Sequence, residues 1–269
     1  MKAIAYSAED VAGSHIARIL KDSFGFKENG DEFEGKPVCA REDVLLVESE
    51  KFIPSREEFG GLSPELMVVA SRHRSDSGEP TLTAHATGNF GAADIGGEPG
   101  RLSIAPSIVL SQAAELLKLN VGALPYKVSL EVTHHGPTQL LIPLVYVEVG
   151  STERQWLDEK PCTVVAEVID KLLFEETPVR PSAIGFGGPH YAPNFTEVTH
   201  DAALGHIAPK YAMEYIDKAM IEQMIERTTP TPELAVLDWK GLRGEEKTRV
   251  TSILCELGIA WKKTSELKA

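Results

Sequence analysis

Residues 65–91 read ELMVVASRHRSDSGEPTLTAHATGNFG, and their patterning decides the fold. The apolar run at 66–70 has the length and composition of a buried strand. Residues 81–87 instead alternate, with Leu82, Ala84 and Ala86 on one face and Thr81, Thr83, His85 and Thr87 on the other. Between them lie Ser, Asp, Gly and Pro, the residues of turns. Two strands joined by a loop that carries His73 predict a sheet with polar chemistry at its strand ends.

The flanking sequence alternates in the same way. Residues 2–6 read as a short buried strand, and Ser7 is a candidate N-cap, with Asp10 three residues later, for a helix reaching Phe24. Residues 44–47 form a further strand, and Pro106 opens a helix to Leu119. Strands at 127–133 and 140–149 flank the turn-rich stretch 134–139. A helix at 162–174 precedes a strand at 183–186, which ends in Gly187-Gly188-Pro189-His190. A helix at 213–226, strand Leu234–Leu237, a helix at 245–257 and a strand at 259–262 complete the chain. The expected architecture is one α/β domain over residues 1–269, with a central mixed sheet and helices on both faces.

Composition narrows the function. With 42% hydrophobic and 25% charged residues, the chain has ordinary globular usage. It has no apolar run of membrane-spanning length, and its first residues, MKAIAYSAEDVAGS, lack a secretory leader. Cys39, Cys162 and Cys255 are widely spaced, which fits a reducing cytoplasm better than a disulfide framework. The net charge of −13 argues against non-specific nucleic-acid binding. From Lys240 onward, however, seven Lys/Arg face four Glu, so a local basic face is available. No helix shows an unpaired apolar stripe, which favours a monomer.

Five histidines sit where strands give way to loops: His73, His85, His134, His135 and His190. Imidazole is the commonest zinc ligand, and a catalytic zinc takes about three protein ligands plus an open position. Asp76, Asp94 and Glu131 could add oxygen ligands or orient a histidine. Adjacent histidines on a regular strand would point to opposite faces. Before Gly136-Pro137, both rings can turn to one site. A lone strand-end histidine is usually just hydrogen-bonded, but five together point to a site. No HExxH spacing marks the metal, no GxSxG marks a serine nucleophile, and no cysteine lies beside a histidine. The glycines of residues 88–100 could let backbone N–H groups approach a phosphate, or form only a flexible loop. They match no nucleotide fingerprint.

Taken together, SRHRSDSGEPTLTAHATGNFG (71–91), EVTHHGPT (131–138), VEVGSTERQW (147–156), GGPHYAPNFTEV (187–198) and GHIAPKYA (205–212) resemble the D-aminoacyl-tRNA deacylase family of the archaeal and plant type. The resemblance implies a cytoplasmic zinc-dependent esterase that frees tRNA from a D-amino acid, with a fold like peptidyl-tRNA hydrolase and nucleoside phosphorylases. Zinc, in a number of ions left open, would be held by some of His85, His134, His135 and His190, activating water and polarising the ester. His73 or Glu131 would move the proton. Arg72, Arg74 and the loop residues Gly88, Asn89, Phe90 and Gly91 would meet the terminal phosphates and adenosine. Lys210 or the basic tail would touch the acceptor stem. The rivals are a hydrolase of another ester or amide such as peptidyl-tRNA, a phosphorylase-like enzyme, and a binding module with structural histidines.

Overall fold

The first elements follow the apolar patterning, then a polar hairpin interrupts it. In the computed structural model, which describes residues 1–267, the chain begins with β1 (Lys2–Ser7), α1 (Val11–Ser23), β2 (Lys27–Phe33), β3 (Lys36–Arg41) and β4 (Val44–Ser49). Next come β5 (Met67–Arg74), β6 (Thr81–His85), β7 (Ala105–Pro106), α2 (Ser107–Asn120), β8 (Lys127–Leu130) and β9 (Leu144–Ser151). After α3 (Glu153–Trp156) and α4 (Glu159–Phe174) come β10 (Ser182–Phe186), α5 (Pro193–Thr196), β11 (Ala203–Ala208) and α6 (Lys218–Glu226). The chain closes with β12 (Thr228–Thr229), β13 (Leu234–Leu237), α7 (Gly244–Glu256), β14 (Ala260–Lys263) and α8 (Thr264–Leu267). Lys268, one of the basic residues of the tail, lies outside the described residues.

The central sheet is mixed, as the patterning predicts, with strand order β2-β3-β4-β1-β5-β9-β6-β8. Its middle strands β4, β1, β5 and β9 run parallel, while β3 and β6 are antiparallel to their inner neighbours. One face carries Leu82, Ala84, Val145, Val147 and Val149, packed on the apolar faces of α1, α2 and α4. The opposite face is covered by Ile53, Phe59, Leu140 and Ile142 from two loops. A second sheet, β11-β10-β13-β14, is wholly parallel. Helix α2 packs against both sheets, while Met220, Ile221 and Met224 of α6 and Val250 and Leu254 of α7 cover the far face of the second.

Several boundaries differ from the expected ones, each for a local reason. Ser7 ends β1, and Asp10 is the cap of α1, its carboxylate accepting the Gly13 N–H at 2.8 Å. The β2–β3 hairpin escaped notice because β2 is exposed along most of its length and has no apolar period. The helix expected at 213–226 begins only at Lys218, where Asp217 accepts the Met220 N–H; residues 210–215 form a 3-10 turn. Residues 131–143 leave the strand ladder to build the site.

Buried His206 in β11 is a pH-sensitive part of this scaffold. Its Nε2 faces the Ser103 carbonyl at 3.1 Å and its Nδ1 faces the Thr133 hydroxyl at 3.1 Å. Burial disfavours the cation and lowers its pKa to about 4. The unfolded chain therefore takes up a proton here near pH 6.5 that the folded chain refuses until about pH 4. Stability should fall as pH drops through that window, by on the order of 3 kcal/mol from this residue. Urea unfolding at several pH values should show a shallower acid loss in His206→Gln. Asp10→Ala should lower stability at neutral pH by about 1–2 kcal/mol, since it removes the α1 cap and the acceptor for Ser71 Oγ and the Arg72 N–H.

Candidate active site

Strand register brings the reactive groups together. Strand β9 lies between β5 and β6, with Ser71 and Thr83 opposite Glu148 and with His85 opposite Tyr146. Paired residues share a face, and alternation adds His73 to it. The segment after β8 then crosses toward the second sheet. The Glu131 N–H bonds to Ala84, Val132 to His190 and Thr133 to Ile207. This stitching draws His190, beyond the end of β10, over the face of the large sheet. His135 adopts a positive φ of 42°, and its ring centroid lies 4.5 Å from that of His134. Both rings thus face one site, as their position before Gly136-Pro137 suggests.

The resulting cluster has two parts. In one, Glu131 is fully buried and binds His190 Nε2 at 2.7 Å and His73 Nδ1 at 3.0 Å, with His134 Nε2 at 3.6 Å. Glu148 stands 3.6 Å from both His73 Nδ1 and His85 Nε2. The Tyr191 hydroxyl meets His73 Nε2 at 2.8 Å, and the Tyr211 hydroxyl meets His190 Nδ1 at 3.2 Å. In the other part, His85, His134 and His135 face one another, their ligand nitrogens within 4.8 Å. Each turns Nδ1 to a backbone carbonyl: Ala86 at 3.2 Å, Val132 at 2.8 Å and Gly136 at 2.6 Å. In the neutral imidazoles the proton sits on Nδ1, and the Nε2 lone pairs point to the centre. The buried His85 Nε2 has no hydrogen-bond partner among the described residues. Three imidazoles anchored through Nδ1, one of them with an Nε2 that makes no hydrogen bond and has only the Glu148 carboxylate 3.6 Å away, fit a divalent cation of the zinc type.

Electrostatics separate the two parts further. Burial opposes the His73 cation, but hydrogen bonds and charge from Glu131 and Glu148 outweigh it and lift its pKa to about 11. Burial likewise opposes the His85 cation, and Glu148 again reverses the direction upward. Burial would raise Glu131 and Glu148, yet the imidazoles hold Glu131 well below the usual carboxylate range and Glu148 at about 2. Burial and repulsion from neighbouring imidazoles push His134 well below its ordinary value and His135 down to about 4.

Two cavities meet over His134 and His135. The first, about 340 Å³, is lined by apolar Phe52, Ile53, Val69 and Ile95 together with polar Arg72, His73, Arg74, Glu148 and His190. The second, about 360 Å³, is lined by Gly88, Asn89, Phe90, Gly91, Asp94, Tyr211 and Tyr215. The side chains of Arg72 and Asn89 have structural partners. Arg72 donates to the Glu9 carbonyl and lies over Trp156, while Asn89 donates to the Gly96 and Glu98 carbonyls. Phe90 is buried in the second core. Lys210 lines neither cavity, and Asp76 is exposed in the turn after β5. The sequence offered no role for Glu148, Tyr146, Tyr191 or Tyr211. A single Glu within the apolar run of β9 was the available sign.

This arrangement gathers imidazoles and buried carboxylates beneath two cavities on an α/β scaffold, and comparison with known proteins gives the chain a family. The family model for D-aminoacyl-tRNA deacylase matches residues 61–262. The D-aminoacyl-tRNA deacylase of Thermococcus onnurineus is 38% identical, over 96% of this chain and 98% of that one. The enzyme of that name from Methanosarcina mazei is 35% identical, over 97% and 92%. A crystal structure described as a conserved protein of unknown function superposes with a TM-score of 0.91 at 28% identity, covering 100% of this chain and 96% of the other. The chain belongs to the D-aminoacyl-tRNA deacylase family.

Glu131→Ala should destabilise the fold by about 3–5 kcal/mol, because it strands the imidazoles that the carboxylate holds. Asp76→Ala, in an exposed turn, should stay within about 0.5 kcal/mol. Denaturant midpoints compare the two.

Proposed function

We propose that the chain hydrolyses the ester between a D-amino acid and the 3′ end of tRNA, with zinc held by His85, His134 and His135. The observation that carries this is the imidazole triplet at the junction of two cavities, each Nδ1 anchored to a carbonyl. Three protein ligands and an open position are what a catalytic zinc takes. Bound there, the metal supplies Lewis acidity, lowering the pKa of water and polarising an ester carbonyl.

The side chains around it supply the rest. The ester lies over His134 and His135, with the aminoacyl group in the Phe52–Ile95 cavity and the terminal adenosine beside Tyr211 and Tyr215. Selection of the D ester belongs to the shape of the first cavity. Glu131 is a positioning residue that fixes His190 through Nε2 and leaves Nδ1 as the basic atom toward the Tyr211 hydroxyl. His190 therefore takes the proton from water, rather than serving as one of the metal ligands among which the sequence placed it. His73, kept protonated between two carboxylates, donates to the departing 3′ oxygen. Arg72 and Arg74 line the first cavity, and to them falls the contact with a terminal phosphate. We take the chain to work as a single-domain monomer in the cytoplasm. Its three cysteines are free, and among the described residues no helix is long and apolar enough to cross a membrane.

With matched D- and L-tyrosyl-tRNA, the protein should release the D ester selectively and lose this activity to a chelator. His134→Ala should lose both zinc and turnover. His190→Ala should keep zinc, measured by elemental analysis, while kcat falls about 10²–10⁴-fold. A His134→Ala protein that retained metal and full turnover would refute the ligand set, and equal release of both esters would point to a general esterase.

A further inference from the structure

The second sheet carries an aromatic and basic cluster that the hydrolytic site leaves unused. Trp239, just beyond β13, and Trp261, in β14, have parallel rings with centroids 5.6 Å apart. Lys247 Nζ of α7 and Lys263 Nζ lie 4.9 and 5.1 Å from the Trp239 ring centroid. Trp261 is an exposed large hydrophobic residue, and its neighbour Lys262 is also exposed. Between Trp239 and Lys263 six Lys/Arg face three Glu, in a chain of net charge −13. Glu266, 3.9 Å from Lys263 Nζ, is an acidic neighbour, in a solvent-exposed pair that contributes little.

Topology sets this cluster on the same edge as the site. The strands of the second sheet are parallel, so their C-terminal ends lie together. Strand β10 runs into Gly187–His190, β11 into Lys210 and Tyr211, β13 into Trp239, and β14 ends at Lys263. The Trp239 turn packs directly on the His190 loop. A Cβ at Gly241 would stand 2.6 Å from Gly188 N, and Asn194 Nδ2 donates to Asp238 Oδ2 at 3.0 Å.

We propose that Trp239, Trp261, Lys247, Lys262 and Lys263 form a second contact for the substrate RNA, separate from the hydrolytic site. The lysines neutralise phosphates of the acceptor stem, and the exposed ring of Trp261 stacks on an unpaired base. Stacking and charge together give sequence-tolerant RNA binding, which suits an enzyme that must accept many tRNAs. An apolar protein partner would be a poor match, because ammonium groups flank the rings. The inference rests on the tRNA reading above for its ligand.

The test uses the full chain, two probes and a charge reversal. Lys247→Glu/Lys262→Glu should bind uncharged tRNA roughly 10-fold more weakly, and the salt dependence of log Kd should flatten by about 2. Trp261→Ala should weaken binding too, with recovery in Trp261→Phe. All variants should keep the wild-type thermal midpoint and hydrolyse 3′-(D-tyrosyl)adenosine at the wild-type rate, because that small ester reaches only the hydrolytic site. Unchanged tRNA affinity in the charge-reversed protein overturns the proposal. Equal loss of hydrolysis on the small ester also overturns it, since the cluster would then be shaping the hydrolytic site. If the wild-type protein hydrolyses neither ester, the deacylase reading fails, and the tRNA titration still decides the platform.

Discussion

Two carboxylates cut off from water, Glu131 and Glu148, hold this molecule to one arrangement. Burying an ionised carboxylate costs several kcal/mol unless cationic or hydrogen-bonding partners offset it. The available partners are imidazoles that arrive from different parts of the chain. Glu148 depends on β5 and β6 lying on either side of β9, since only then do His73 and His85 reach it. Glu131 depends on the second sheet, which delivers His190. Correct assembly of both sheets is thus tied to charge neutralisation at their meeting point.

The same pair of carboxylates divides the histidines by protonation. His73, between the two carboxylates, is driven toward the cation, whereas burial and neighbouring imidazoles drive His134 and His135 toward the neutral form. One small volume therefore contains both a proton store and a set of free lone pairs. His85 belongs to both groups: Glu148 draws it toward the cation, yet its geometry is that of the lone-pair set. A dication at the triplet would satisfy Glu148 in place of that proton.

Much of this was legible in the chain, and the gaps have physical causes. Alternation at 81–87 correctly separated the Leu82–Ala84 core face from the Thr83–His85 site face. Periodicity says which face a residue takes and nothing about which strand lies beside it, so Glu148 could not be matched to His73. The run that contains Glu148 looked like any buried strand. Ser7 and Asp10 both suit a cap, and it is Asp10 that takes the Gly13 N–H, held in place by its tertiary bonds to Ser71 and Arg72. Strand β11 was missed, and with it the path by which the Gly205–Ala212 motif reaches the site. The polar β2–β3 hairpin had no periodic signal to find. The shared motifs gave the family without giving contacts, which is why the five histidines could be named together while their separate partners could not.

The joint above the site is made almost wholly of main chain. A Cβ on Gly96 or Gly136 would stand 2.2 or 2.1 Å from the Pro54 carbonyl oxygen, and the Gly136 N–H donates to the Ile95 carbonyl. Three loops are therefore clasped together at points where side chains take no part. The side chains of Phe52 and Ile95, which line the first cavity from two of these loops, are exposed and take no part in that main-chain clasp. Evolution can retailor the mouth of the cavity, residue by residue, while the hinge pins beneath it stay glycine. The shape of that cavity is tunable at little cost to foldability, and a change to either glycine closes that route.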